Sequence, residues 1–189
     1  ATGEVRKLAG EVARDEPANA EVWNLLGLTD RSAGSPADAV VNFGKAIELR
    51  PNGALYRVNL ARAYLVAGDD EAATRAMAAA RQLEPGLLQL RSLEFLRLAR
   101  RGELTDARQV LDRIRADKLG DEALYAAMEA ELLVAEKKPA AAAELYVQAY
   151  GKRPNLDLAV KAWNSSKLAT GTGDASLLLD WQTRNPEDP

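Results

Sequence analysis

A chain of 189 residues, 47% hydrophobic and 28% charged with a formal net charge of -3, has the make-up of an ordinary globular protein of one or two domains. It contains no cysteine and no histidine, which excludes disulfides, thiolate nucleophiles, iron–sulfur and zinc–thiolate centres, the commonest metal ligand and the usual general base. No run approaches the roughly 18 apolar residues of a membrane span, and the mild acidity gives no pull toward nucleic acid or anionic lipid.

In chain order, the apolar spacing predicts a lone helix over 3–15 and then five helical hairpins over 19–50, 53–84, 87–117, 121–152 and 155–185. In the first hairpin Ser35 is placed to cap the second helix, Pro36 suits its first turn, and Asp38 suits the positive end of its dipole. Val40, Phe43, Ala46 and Ile47 then mark one face, and Pro51 follows the end. Asn52, Asp69 and Asn155 are the caps expected for later helices. No alternating polarity indicates a strand.

The hairpins recur at a fixed period. Pro17, Pro51 and Pro85 stand 34 residues apart, as do Gly34, Gly68 and Gly102, and Ala39, Ala73 and Ala107. Ala142 and Pro154 continue the register with a slip of one residue, assigned to the connection around Ala116–Asp121, where Lys118-Leu119-Gly120 reads as a loop. Phe43, Met77, Leu111 and Tyr146 keep the phase. Each glycine stands where the first helix of a hairpin must stop and the chain reverse, a left-handed position that suits a residue without Cβ. Each alanine stands where the second helix crosses the first, so that the axes can approach to roughly 8–10 Å.

At these positions the sequence resembles the tetratricopeptide repeat family. Trp23, Leu26, Gly27, Gly34, Ala39, Phe43, Ala46 and Pro51 carry its landmarks in the first full repeat. Leu60, Ala61, Tyr64, Gly68, Ala73, Ala80 and Pro85 carry them in the second. The third keeps Gly102, Ala107 and Leu111; the fourth keeps Ala130, Ala142, Tyr146, Ala149 and Pro154. The resemblance implies an all-α, right-handed superhelical solenoid of about eleven helices, with a half repeat at 1–18 and repeats at 19–52, 53–86, 87–120, 121–154 and, degenerate or capping, 155–189. Two departures stand out. Asp30 replaces the tyrosine seen at Tyr64, which predicts loose packing there, and the last hairpin, turning at Gly171-Thr172-Gly173, lacks the crossing alanine.

The chain begins at Ala1 without methionine or signal peptide, its first helix lacks a partner, and Asn185-Pro186-Glu187-Asp188-Pro189 reads as the start of another repeat. The expectation is a single solenoid fragment of a longer array. The tail Leu179-Asp180-Trp181…Asn185-Pro186-Glu187-Asp188 is similar to long bacterial tetratricopeptide lipoproteins that accompany exopolysaccharide and PEP-CTERM sorting systems. That likeness implies a periplasmic or outer-membrane-anchored address, with a lipid anchor in the parent protein.

Family likeness further implies a concave binding surface made by the first helix of each hairpin. Here it comprises Asn24, Leu28, Val58, Asn59, Arg62, Leu65, Gln89, Ser92, Leu96, Leu124, Ala127 and Glu131, a mixed face suited to a peptide or partner protein. The family's clamp for a C-terminal carboxylate is matched only at Asn59; Leu28, Gln89 and Leu93 stand where it needs polar or basic groups. Arg91, Arg97, Arg100 and Arg101 offer a basic patch for an acidic partner, or simply a solvated face ending in cations. Trp23 reads as core, while Trp163 and Trp181 serve either core or sugar stacking. The carboxylate pairs Asp69-Asp70 and Asp121-Glu122 fall at helix starts, and Gly171-Thr172-Gly173 lacks the lysine of a phosphate loop. No catalytic set assembles, and no cofactor, metal or nucleic acid is expected. The reading is a protein–protein interaction scaffold, with a carbohydrate-handling or assembly role in polysaccharide export as the alternative.

Overall fold

The computed structural model describes residues 2–186; within the tail reading above, Glu187, Asp188 and Pro189 lie outside them. The described residues form eleven helices and no strand, which is the all-α hairpin architecture read from the spacing. In order these are α1 (Thr2–Asp15), α2 (Ala20–Ser32), α3 (Pro36–Leu49), α4 (Ala54–Ala67), α5 (Asp70–Leu83), α6 (Leu88–Arg100), α7 (Leu104–Ala116), α8 (Glu122–Ala135), α9 (Pro139–Lys152), α10 (Leu156–Thr170) and α11 (Ser176–Arg184). The chain divides into two compact units between Leu93 and Glu94.

The turns inside the first four hairpins share one hydrogen-bonded closure. Gly34, Gly68 and Gly102 take φ of +77°, +82° and +76°. At Gly68 the backbone N–H donates to the Leu65 carbonyl, and the next N–H, of Asp69, reaches back to the Tyr64 carbonyl. The same pair of bonds recurs at Gly34 and Gly102, satisfying carbonyls that a helix end leaves open. The fourth hairpin keeps this geometry without a glycine: Lys137 adopts φ +62° with the matching bonds to Val134 and Leu133. Lys118 does likewise, at +52°, after α7. The helices α3, α5 and α9 instead end on residues of negative φ, Arg50, Glu84 and Arg153. The added left-handed turn after α7 therefore lies within the segment to which the register slip was assigned.

In the first unit, Ala39 and Phe43 are fully buried with Ala63, and Ala73, Met77 and Ala80 are buried with Val58, Ala61, Leu90 and Leu93. In the second, Ala142, Tyr146 and Ala149 are buried with Ala130, Ala159 and Ala162, and α11 adds Leu177, Leu178 and Trp181 along the edge of that core. Burial, reinforced by nearby Glu131, raises the Tyr146 phenol far above its usual range. The end of α11 is tied by the Tyr150 hydroxyl, which donates to Asp180 at 2.7 Å; that bond and one from Arg184 hold the Asp180 carboxyl below its usual range.

Three local expectations need correction. Ser35 stands at the start of α3 but its side chain accepts no capping bond; Pro36 begins that helix and removes one donor in need of an acceptor. The residue before α4 is Gly53, not Asn52, which is exposed. Asp30 does not loosen the first hairpin. It is only 1% exposed, accepts a 2.6 Å bond from the Asn42 amide on α3, and pairs with Arg6 of α1. A buried charge that has both partners is satisfied where a lone one would disrupt. Asp69 and Asn155 do cap, accepting from the N–H groups of Ala72 and Leu158 at 2.8 and 3.0 Å.

Candidate functional site

Helices α2 and α4 lie side by side in the first unit. Along α2, Asn24, Leu28 and Arg31 follow one another at single-face spacing, and Asn59, Arg62 and Leu65 do so on α4. The two rows meet at the asparagines, where the Asn59 amide donates to Asn24 Oδ1 at 2.8 Å. Asn24, Leu28, Arg62 and Leu65 are half-buried, so each retains an accessible edge. Asn59 is buried and reaches this face through Asn24. Val58 must be removed from the surface set: at 0% exposure it fills the core with Ala73 and Leu90.

One turn beyond Leu28 lies a residue that the sequence reading passed over. The Arg31 Nε is buried and makes no hydrogen bond. Its neighbour across the helix pair is Arg62, whose guanidinium is held below its ordinary pKa, first by burial and then by the charge of Arg31. The charge of Arg31 thus bears on Arg62, and no carboxylate is among the groups that act on Arg62. The clue in the sequence was the spacing Asn24–Leu28–Arg31; it was obscured because a cation in the last turn of a helix already has a sufficient role at the dipole.

On α6, Gln89 is exposed and Ser92 half-buried in the first unit. In the second unit Leu96 and Leu124 are half-buried, and Ala127 packs against the Ala130–Tyr146 core. Glu131 occupies the same register as Arg62 but is neutralised: Lys161 lies 2.9 Å from it and 2.9 Å from Asp157. An open cleft of about 440 Å³ lies over α9–α11, lined by Val147, Ala162, Ser166, Asp174 and Leu177 among others. Its polar groups are partly used within the chain, since Ser166 Oγ accepts from the Asp174 N–H at 2.6 Å and Asp174 accepts from the Ser176 N–H at 2.9 Å.

Most of the remaining candidates have structural employment; Arg100 is exposed at the end of α6. Arg91 donates to the Pro85 carbonyl at 3.2 Å, Arg101 pairs with Glu103 at 2.8 Å, and Arg97 is also engaged. Trp23 packs against the α1–α2 core and donates from Nε1 to the Pro17 carbonyl at 2.9 Å. Lys167 lies over the Trp163 ring, 4.8 Å from its centroid, and Gly173 packs so closely that a Cβ there would meet the indole nitrogen at 2.1 Å. Trp181 packs on the second unit's core. Asp69 and Asp121 are helix caps. Among the described residues no cluster of three or more acidic side chains is placed to hold a metal ion, and no helix is long and apolar enough to cross a membrane.

The fold so defined is that of the tetratricopeptide repeat proteins. TTC0263, a thermophilic TPR protein of Thermus thermophilus, matches with a TM-score of 0.72 at 22% identity, over 85% of this chain and 88% of its own. A chain of the APC/C hetero-tetramer Cut9-Hcn1 matches with a TM-score of 0.66 at 15% identity, over 98% of this chain and 40% of its own. No family model matches the sequence, and no curated protein does so.

Proposed function

We propose that the chain is a protein–protein interaction scaffold that takes a peptide or partner protein on the first helices of its hairpins, with α2 and α4 as the principal contact. The observation that carries this reading is the half-buried row Asn24, Leu28, Arg62 and Leu65, in which apolar edges alternate with polar groups. Such a face suits an extended peptide, whose side chains find apolar contact while its backbone meets amide and guanidinium donors. Likeness in fold to TPR structures supports the same reading. A place within a larger bacterial envelope protein rests on the similarity of the Leu179–Asp188 tail to envelope lipoproteins.

The absence of cysteine permits a direct test. A photo-crosslinker is attached at Asn24→Cys or, as a control, at Ala78→Cys on the exposed side of α5. The immobilised protein is then panned against a random linear peptide library. Convergent sequences that cross-link at position 24 and not at 78 are expected. A library that yields no convergent family, or one that labels both positions equally, overturns the reading.

A further inference from the structure

The arginine pair at the α2–α4 face is built at a disadvantage to the fold. Arg31 and Arg62 carry like charge, the Arg31 Nε is buried without an acceptor, and the charge that bears on Arg62 is another cation. Half-buried Arg108, by contrast, holds Glu129 at 2.8 Å and Glu136 at 3.1 Å. Glu131, in register with Arg62, has Lys161. A buried polar donor without an acceptor destabilises the folded state, and a like-charged neighbour adds to that. An anion arriving at the accessible edges of the two guanidiniums would offset their like charge.

Resting on the proposed peptide-binding role, we propose that Arg31 and Arg62 form the specificity subsite of the α2–α4 face and that it selects a peptide bearing an Asp or Glu side chain. A carboxylate between the two guanidiniums accepts from both, making charge-assisted bonds that are stronger than neutral ones. Beside them, Leu28 and Leu65 offer half-buried apolar edges for the peptide's neighbouring residues, and Asn24 stands one turn before Leu28 for its backbone. This mixture favours an acidic peptide with interspersed apolar residues over a polyanion such as nucleic acid, which calls for a broad basic surface on a chain whose net charge is here -3.

The test uses short fluorescent peptides of alternating Glu and Leu, acetylated and amidated, beside Gln–Leu peptides that are either amidated or carry a free C-terminus. Fluorescence anisotropy is read with the intact chain and with Arg31→Gln and Arg62→Gln. The amidated Glu–Leu peptide is expected to bind at least about tenfold more tightly than its Gln–Leu analogue, and either substitution to erase that preference. In the same samples Arg62→Gln raises Tm, because it removes the uncompensated charge; a residue with a merely structural role would lower stability and binding together. Equal binding of Glu–Leu and amidated Gln–Leu peptides overturns the proposal while leaving a scaffold that cross-links at position 24. Preference for the free-acid Gln–Leu peptide assigns the site to a chain terminus and overturns it also. If no peptide cross-links at position 24 in the library experiment, the scaffold reading itself falls.

Discussion

Where α2 and α3 cross, Gly27 faces the ring of Phe43 so closely that a Cβ would lie 2.6 Å from it. The same register holds Ala61 with Met77 in the second hairpin and Ala130 with Tyr146 in the fourth, each pair within one core. A small residue on the first helix is thus matched to a larger one on the second, and the smallest, glycine, faces a fully buried phenylalanine. Gly27→Ala should therefore destabilise the chain by about 1–3 kcal/mol through overpacking, despite alanine's better helix propensity. Adding Phe43→Met should recover much of that loss, since it installs the pair already used at Ala61 and Met77. Urea unfolding of the single and double variants measures the coupling. Equal losses with and without Phe43→Met would show that the two positions do not share one volume.

At the scale of the element, the turns are the most regular feature and also the most unevenly furnished. Gly34, Gly68 and Gly102 hold the left-handed conformation without a Cβ clash, whereas Lys137 holds it with a full side chain. Lys137→Gly should stabilise the fourth hairpin by about 0.5–1 kcal/mol, the relief of the left-handed strain less the added freedom of glycine in the unfolded chain. In a chain of this size that raises Tm by about 2–4 °C per kcal/mol. Scanning calorimetry that finds Lys137→Gly no more stable than the parent would mean that the lysine side chain contributes contacts that outweigh its strain. Helix number, hairpin order and the glycine turns were legible in the sequence because they depend on local spacing and on residues whose backbone preferences are their own. Asp30 was misread because its satisfaction depends on Arg6 and Asn42, one on the preceding helix and one on the following. The candidate face was legible as a set of positions on first helices. Its chemistry was not, since the lack of an acceptor at Arg31 and its closeness to Arg62 emerge only when α2 and α4 are set side by side.

At the scale of the whole molecule, the cores around Ala73 and Ala142 each draw their buried side chains from consecutive helices. Ala73, fully buried, belongs to a core of α4, α5 and α6; Ala142, also fully buried, belongs to one of α8, α9 and α10. A repeat array behaves as a sum of hairpin stabilities and nearest-neighbour terms, so changes in cores with no shared side chain should add. Ala73→Leu and Ala142→Leu should each destabilise by about 1–3 kcal/mol by overpacking a helix crossing. The variant with both should lose their sum to within about 0.5 kcal/mol. Total unfolding free energy from urea titration by circular dichroism is the measure, summed over transitions if more than one is resolved. A single variant that melts like its parent would show that its alanine is not at a crossing. A double variant no less stable than the worse single would show that the two cores are coupled, one substitution already making the structural change that the other would cost.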